Sequence, residues 1–292
     1  MGEFYMDYLQ KAYCMNESVR IYAAITTDMT SHAQEIFNMW PSSADAFGRL
    51  LTISSIMSAT YKSGEVLNIM VKGDGPIGKM TVEAKDCKVR GFVSNPGVFL
   101  QNSNGTINIT KAVGAGEIEV VKDLNMRAPF SSSCEIITGD IANDFTYYFA
   151  KSEQIPSSVG LGVSIDPNTN KIIASGGFLL QVMPGCKDEY ITKLENKLST
   201  LKPTTEMIKE GYTPIDIINE ITDGDYTLLE TKELKYECNC SKDRFKRGLK
   251  SLGKVELENI LNEDHKIDIT CNFCNKKYSF DENDIKEILL EL

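Results

Sequence analysis

Glu237-Cys238-Asn239-Cys240 and Cys271-Asn272-Phe273-Cys274, roughly thirty residues apart, decide how this chain is put together. The first stretch is C-x-C and the second C-x-x-C. Two close pairs brought together in space satisfy the four tetrahedral ligands that Zn²⁺ prefers. All four positions can be filled by sulfur, which makes a closed structural centre and argues against a metal-bound catalytic water. Cys238, Cys240, Cys271 and Cys274 are therefore the expected ligands of one Zn²⁺ per chain. C-x-x-C alone is a weak signal, because thioredoxin-like redox motifs share it; its pairing with C-x-C in a short unit carries the reading. His265 is close by, but Asn262-Glu263-Asp264-His265 reads as a surface turn rather than a ligand source. His32 follows Ser31 in a helical stretch and has no partner visible in the sequence.

The unit around these cysteines, 236–292, is small. Below about 70–80 residues a core alone seldom gives adequate stability, so a metal usually has to help. Peptide-sized thiolate sites gain about 10–16 kcal/mol of apparent free energy from zinc, so such a module folds with its metal and unfolds without it. Zn²⁺ with four thiolates carries two net negative charges. Lys242, Arg244, Lys246, Arg247 and Lys250 either offset that charge or form a solvated helix face. Thiolate is also the form that oxidants attack. Disulfide formation would remove the ligands, release the metal and take away the energy that folds the module. A C-x-C pair is a tight place for a disulfide, so strain would make it reducible again.

Upstream, 6–185 reads as an α+β core of mixed sheet and helix. Arg20 to Thr26 is strand-like, and Ser43 can cap a helix from Ala44 to about Thr60 with Phe47, Leu50, Leu51, Ser54 and Met57 as its inner stripe. Leu67 to Val71 and Met80 to Ala84 alternate as strands around Gly73-Asp74-Gly75-Pro76. Val89 to Val93, Thr106 to Thr110, Glu117 to Val121 and Ser133 to Ile137 continue the strand pattern. Asp140 is an N-cap for a helix carrying Ile141, Phe145 and Tyr148. A hairpin around Asp166-Pro167-Asn168 closes the core. From 186 to 235 the texture becomes that of a helical linker: Ile191, Leu194, Leu198 and Leu201 recur at helical spacing, and Thr213-Pro214 opens a further helix. Isolated helices shorter than about 12–15 residues are marginal in water, so this linker is ordered only by what it packs against.

The 292 residues are long for one core, and 42% hydrophobic residues suffice to bury one. A formal charge of -10 does not suit a phosphate backbone, so nucleic acid is not an expected partner. No run of about 18 apolar residues reads as a membrane span. The opening residues lack a basic region followed by an apolar stretch, so a cytoplasmic location is expected. Met6 offers a second start, which would leave Met1-Gly2-Glu3-Phe4-Tyr5 as a remnant of cloning. Of the eight cysteines, Cys14, Cys87, Cys134 and Cys186 stand isolated among apolar or small residues and read as buried small hydrophobes.

Several stretches resemble one known family, the redox-regulated bacterial heat-shock chaperones of about thirty-three kilodaltons, over nearly the whole chain from Met6. They are Gly48-Arg49-Leu50-Leu51-Thr52, Lys72-Gly73-Asp74-Gly75-Pro76-Ile77-Gly78, Val89-Arg90-Gly91-Phe92-Val93 and Tyr147-Tyr148-Phe149. Ser152-Glu153-Gln154-Ile155-Pro156-Ser157, Gly176-Gly177-Phe178 and Pro184-Gly185 follow. Last come Cys238-Asn239-Cys240-Ser241 with Arg244-Phe245, and Cys271-Asn272-Phe273-Cys274 with Tyr278 and Phe280. The resemblance implies an ATP-independent holdase and not an enzyme. It implies that the reduced, zinc-bound form is inactive, and that oxidation joins Cys238 to Cys240 and Cys271 to Cys274. It further implies that the terminal unit and linker then unfold, that homodimers form, and that unfolded or oxidatively damaged client proteins are captured. Cys14, Cys87, Cys134 and Cys186 match no motif of the family.

Three other readings compete. Gly73-Asp74-Gly75-Pro76-Ile77-Gly78-Lys79 nearly spells a phosphate-binding loop, but Met80 stands where Ser or Thr would hold Mg²⁺, and Pro76 lacks a donor. A β-turn is the better account. A thiol oxidoreductase would place one C-x-x-C at a helix N-terminus, whereas Cys271-Asn272-Phe273-Cys274 precedes strand-like Lys277 to Phe280. A zinc-ribbon regulator that binds nucleic acid has only the basic run from Lys242 to Lys250 in its favour.

Overall fold

Alternation of apolar and polar residues decides most strands of this computed structural model, which describes residues 7–292. The start at Met6 and the nature of residues 1–5 lie outside the described residues. β1 (Tyr8–Cys14) and β2 (Val19–Ile25) form a hairpin, followed by α1 (Thr27–Phe37) and α2 (Pro41–Ser58). β3 (Val66–Gly73), β4 (Lys79–Lys85) and β5 (Lys88–Val93) make an antiparallel meander. α3 (Ile109–Val113) precedes the β6 (Gly116–Asp123) and β7 (Phe130–Ile136) hairpin. α4 (Ile141–Tyr148) runs into a π-helical turn, Phe149–Glu153, and then β8 (Ser157–Ile165) and β9 (Ile172–Val182). Next are α5 (Asp188–Ser199), α6 (Thr204–Lys209), α7 (Pro214–Thr222), β10 (Tyr226–Glu233) and β11 (Lys235–Tyr236). A second compact unit, Glu237–Leu292, holds α8 (Lys242–Lys250), α9 (Lys254–Glu263), β12 (Ile267–Thr270), β13 (Lys277–Phe280) and α10 (Glu282–Leu290). The fold is α+β, as the sequence predicts.

In the first unit the strands form two sheets. One has the order β10-β1-β2-β9-β8 and is antiparallel throughout. The other has the order β11-β5-β4-β3-β6-β7, and only the short β11 runs parallel to its neighbour. α2 packs against β8 and β9 of one sheet and β4 and β5 of the other. Between two sheets a helix has no solvent face, and every residue of α2 except Arg49 is buried. The five-residue stripe read from the sequence is therefore too narrow. Hydroxyl residues hide the burial, because they bond back to their own helix: Thr52 donates to the Gly48 carbonyl at 2.9 Å, Ser54 to Leu50 at 2.6 Å and Ser55 to Leu51 at 2.9 Å. Gly48 lets α1 approach; a Cβ there would stand 2.6 Å from Thr30 Cγ2.

Three local expectations change. α2 starts at Pro41, tolerated at the first helical position, so Ser43 is inside the helix and its hydroxyl donates to the Asn95 carbonyl instead. The strand expected at Thr106 to Thr110 gives way to α3, because the Asn108 side chain caps it by accepting from the Lys111 amide at 3.0 Å. The helical stretch expected to reach residue 235 stops at Thr222, and Tyr226–Glu233 becomes a largely exposed edge strand paired with β1. Its order comes from main-chain pairing, which leaves no apolar stripe to read.

Other expectations hold for visible reasons. The Asp140 carboxylate accepts from the Ala142 and Asn143 amides, at 3.0 and 3.2 Å, and caps α4. Gly73-Asp74-Gly75-Pro76 is the β3–β4 connection, with the Asp74 carboxylate accepting from the Ala115 amide at 2.7 Å. A strand follows it, and a Cβ at Gly75 would meet the Ala112 carbonyl at 2.5 Å, so the turn is packed rather than open to phosphate. α6 and α7 cover the opposite face of the five-stranded sheet, where Met207, Ile217, Ile218 and Ile221 join Val19, Ile21 and Ala23 in a second core.

Arg49 bonds Asp45 at 2.6 Å and Asp140 at 3.1 Å. Burial raises the Asp45 pKa, and the Arg49 cation opposes that shift. Removing one partner of a buried pair costs about 3–5 kcal/mol. Arg49→Leu is expected to lower the stability of this unit by about that much at neutral pH, measured by urea unfolding. With the cation gone, the folded Asp45 pKa lies still further above its unfolded value. The variant is then most stable below the ordinary carboxylate range and loses stability as pH rises, so its deficit shrinks in acid.

Candidate metal centre

The second unit has a core of five buried apolar residues: Leu249, Leu257, Phe280, Ile285 and Ile288. Against this stands one polar cluster. The sulfurs of Cys238, Cys240, Cys271 and Cys274 all lie within 4.8 Å of one another. Cys238 Sγ is 3.7 Å from Cys271 Sγ, and Cys240 Sγ is 3.4 Å from Cys274 Sγ. A tetrahedral centre with metal–sulfur bonds of about 2.3 Å needs sulfurs about 3.8 Å apart. Four soft donors at this spacing fit a thiophilic ion, and they fit it with no ligand position left for water.

Local folding explains the convergence. Cys271 and Cys274 sit at the tip of the β12–β13 hairpin, where the Cys271 amide donates to the Lys276 carbonyl at 2.9 Å. The Cys271 carbonyl accepts from the Cys274 and Asn275 amides, at 3.3 and 2.8 Å, and Asn275 takes a left-handed backbone to close the loop. On the other side Cys240 directly precedes Ser241, whose hydroxyl caps α8 by accepting from the Arg244 amide at 3.2 Å. A helix N-terminus favours negative charge nearby.

The thiols do not ionise alike. Burial opposes ionisation of Cys240, but hydrogen bonds from the Tyr278 hydroxyl and neighbouring thiols outweigh it and bring this thiol down to about 7. Burial pushes Cys238 up, and burial with the shared hydrogen bonds of the other thiols pushes Cys274 up to about 12. One thiolate is favoured, while Cys238 and Cys274 are held as thiols. Only a cation at the centre can hold all four sulfurs as anions.

Tyr278, named in the sequence only as part of the family motif, sits beside the sulfurs, a contact that spacing does not reveal. Its hydroxyl proton is within reach of both Cys240 Sγ and the Cys240 carbonyl, each 3.1 Å away, while its ring packs on Phe245 at 5.0 Å. Four residues past Cys274, it carries no spacing signal of its own. The basic run has a different role from charge compensation at sulfur. Lys242 pairs with Asp284 at 2.7 Å, Lys246 with Glu287 and Glu291, and Lys250 with Glu291 at 2.5 Å. Those cations join α8 to α10.

The remaining candidates lie elsewhere. His265 is exposed, takes a left-handed backbone in its turn and faces Glu282 at 3.2 Å, outside the sulfur cluster. His32 is exposed on α1, with its ring edge-on to Tyr236 at 5.6 Å. Cys14, Cys87 and Cys134 are buried, and burial pushes Cys14 up to about 12 and Cys134 up to about 11. Cys186 is only partly buried. No described helix is long and apolar enough to cross a membrane.

A helix enclosed between two sheets, followed by a small unit built around four thiols, defines a two-unit α+β protein with a sulfur centre near its end. The chain belongs to the Hsp33 family of chaperones: the family's profile, described as Hsp33 protein, matches residues 7–281. It is 42% identical over 284 residues to the 33 kDa chaperonin of Bacillus subtilis (strain 168), covering 96% of this chain and 97% of that one. The 33 kDa chaperonin of Staphylococcus haemolyticus is 41% identical over 290 residues, with 98% of each chain covered. The crystal structure of the 33 kDa chaperonin from Thermotoga maritima superposes with a TM-score of 0.90 at 28% identity, covering 98% of this chain and 99% of that one. The resemblance carried by the sequence motifs is thus membership.

Groups that hydrogen-bond a metal ligand typically contribute about 10–100-fold in affinity. Tyr278→Phe is expected to weaken metal binding by about tenfold, measured by competition with a chromophoric chelator. Cys271→Ser is expected to lose the metal and to unfold 237–292 even in reducing buffer. Metal content and amide exchange check it; full metal and unchanged protection would show that Cys271 is no ligand.

Proposed function

We propose that this chain is a redox-regulated, ATP-independent holdase, switched on when its four terminal thiols are oxidised. The observation that carries the reading is the convergence of four sulfurs in a unit with only five buried apolar side chains. On this reading Cys238, Cys240, Cys271 and Cys274 hold one Zn²⁺ per chain. The ion supplies the positive charge that keeps four thiolates together and, through them, the free energy that folds the unit.

Oxidation acts on the ligands. Two thiolates give up two electrons to a peroxide, which takes two protons from solvent, so one disulfide forms and the peroxide becomes two waters. The pairs are Cys238 with Cys240 and Cys271 with Cys274, a choice supported by the family resemblance, since the sulfur distances leave other pairings within reach. Disulfide sulfurs no longer serve as anionic ligands, so 236–292 loses its main source of order. The domains on this reading are a core, 6–185, a linker, 186–235, and the switch, 236–292. The linker helices are short, six residues for α6 and nine for α7, and rely on packing against the sheet. Their release exposes apolar side chains such as Met207, Ile217 and Ile221, which capture unfolded or oxidatively damaged clients and support homodimers. The chain works in the cytoplasm and turns over no substrate.

Neither rival gains from the geometry. Cys271 and Cys274 occupy a hairpin tip, without the helix N-terminus that activates a C-x-x-C nucleophile. Lys242, Lys246 and Lys250 are engaged by carboxylates of α10, which leaves a weak basic face for nucleic acid.

The test follows metal, thiols and activity together. Reduced protein is expected to contain one zinc and to leave a heat-unfolding client unprotected. After peroxide at mildly raised temperature, four thiols and the zinc are expected to disappear as aggregation is suppressed, and dithiothreitol with zinc to reverse both. Equal protection by the reduced form would sink the switch, and catalytic reduction of insulin would favour an oxidoreductase.

A further inference from the structure

At one end of the five-stranded sheet a row of side chains crosses four strands. Tyr13 of β1 opposes Arg20 of β2, Arg20 opposes Gln181 of β9, and Gln181 opposes Ser157 of β8. Opposed residues share a face, with Cβ atoms about 4.5–5.5 Å apart. Arg20 and Gln181 line a cavity of about 380 Å³, to which Ile155-Pro156 and Met183-Pro184 contribute apolar walls. Ligand pockets commonly have about this size and makeup, largely apolar with a few polar groups.

Neither polar group is fully satisfied. Gln181 is 5% exposed, and its side-chain amide meets no hydrogen-bond partner among the described residues. The Arg20 Nε is buried with no acceptor. Its guanidinium stands 5.7 Å from the centre of the Tyr13 ring, and the groups acting on its charge are the phenols of Tyr22 and Tyr13, with no carboxylate among them. Arg20 and Gln181 thus line one cavity side by side with no carboxylate between them.

We propose that this cavity binds the free C-terminus of an extended peptide ending in an apolar residue. The carboxylate accepts hydrogen bonds from the Arg20 guanidinium and the Gln181 amide N–H, and capture of a terminal carboxylate by clustered donors is a recurrent mode of peptide recognition. The Gln181 carbonyl then requires a donor beside the carboxylate, which the backbone N–H of the last peptide residue supplies. The apolar walls receive that residue's side chain. A fatty acid offers the carboxylate and the apolar body but no N–H, and inorganic phosphate offers neither of the latter two. The site uses none of the four terminal thiols, so it stands or falls apart from the redox reading.

The test uses the full reduced chain and an N-terminally fluorescein-labelled hexapeptide ending in Leu, followed by fluorescence polarisation. The free acid is expected to bind at least about tenfold more tightly than the same peptide as its C-terminal amide, since the amide loses charge-assisted bonds. Arg20→Gln is expected to remove that preference, and Gln181→Leu to weaken the acid form, in proteins whose circular dichroism matches the parent. The acid-against-amide comparison needs no variant, so a misfolded substitution does not remove the test. Equal binding of acid and amide, or no binding of either, overturns the proposal. Competition by hexanoate as effective as that of the unlabelled peptide overturns it too, in favour of a free fatty acid.

Discussion

Four sulfur atoms held within 4.8 Å make the constraint on which the C-terminal unit depends. Without a cation the arrangement opposes itself: Cys240 is drawn toward thiolate while Cys238 and Cys274 are pushed toward thiol. Its neighbours contribute little that is independent of the sulfurs. Leu249, Leu257, Phe280, Ile285 and Ile288 form a small core, and the ion pairs of α8 with α10 are exposed and individually weak. On the proposed reading, order in 237–292 is concentrated in one chemical event, the binding of an ion by four thiolates.

The first unit is organised on the opposite principle. α2 is enclosed by two sheets, and its buried hydroxyls and its Arg49 are bonded within the fold. No single group there carries the structure. Local stability in a protein is uneven, and regions with few buried apolar contacts open first. α6 and α7 are short but lend Met207, Ile217, Ile218 and Ile221 to a shared core with the sheet. They are intermediate between a self-sufficient body and a metal-dependent one, which suits a segment proposed to change state.

Legibility in the sequence follows the range of the interactions. Strands with alternating residues, the Asp140 cap and the β3–β4 turn are local, and they are visible without coordinates. The four cysteines are legible for a related reason, since two short spacings suffice to name them. α2 was only half legible, because Ser and Thr look polar until their carbonyl partners are known. Tyr226–Glu233 was hidden because its order comes from main-chain pairing with a strand more than two hundred residues earlier. The contact of Tyr278 with Cys240 and the carboxylate partners of Lys242, Lys246 and Lys250 were hidden likewise, since each depends on a neighbour the spacing does not reveal.

The same distinction separates two kinds of unsatisfied group. The four thiols are open to a metal because no side chain in their unit brings a positive charge to the sulfurs; the nearest basic run is engaged by α10. Arg20 and Gln181 are open because sheet register places them side by side on a face where apolar residues and phenols surround them. In the first case, on the proposed reading, the ion decides whether the surrounding chain folds at all. In the second the sheet is complete without a ligand, held by β1, β2, β8 and β9, so occupancy can change while the fold does not. A group whose satisfaction is coupled to folding makes a switch, and one whose satisfaction is uncoupled from folding makes a binding site.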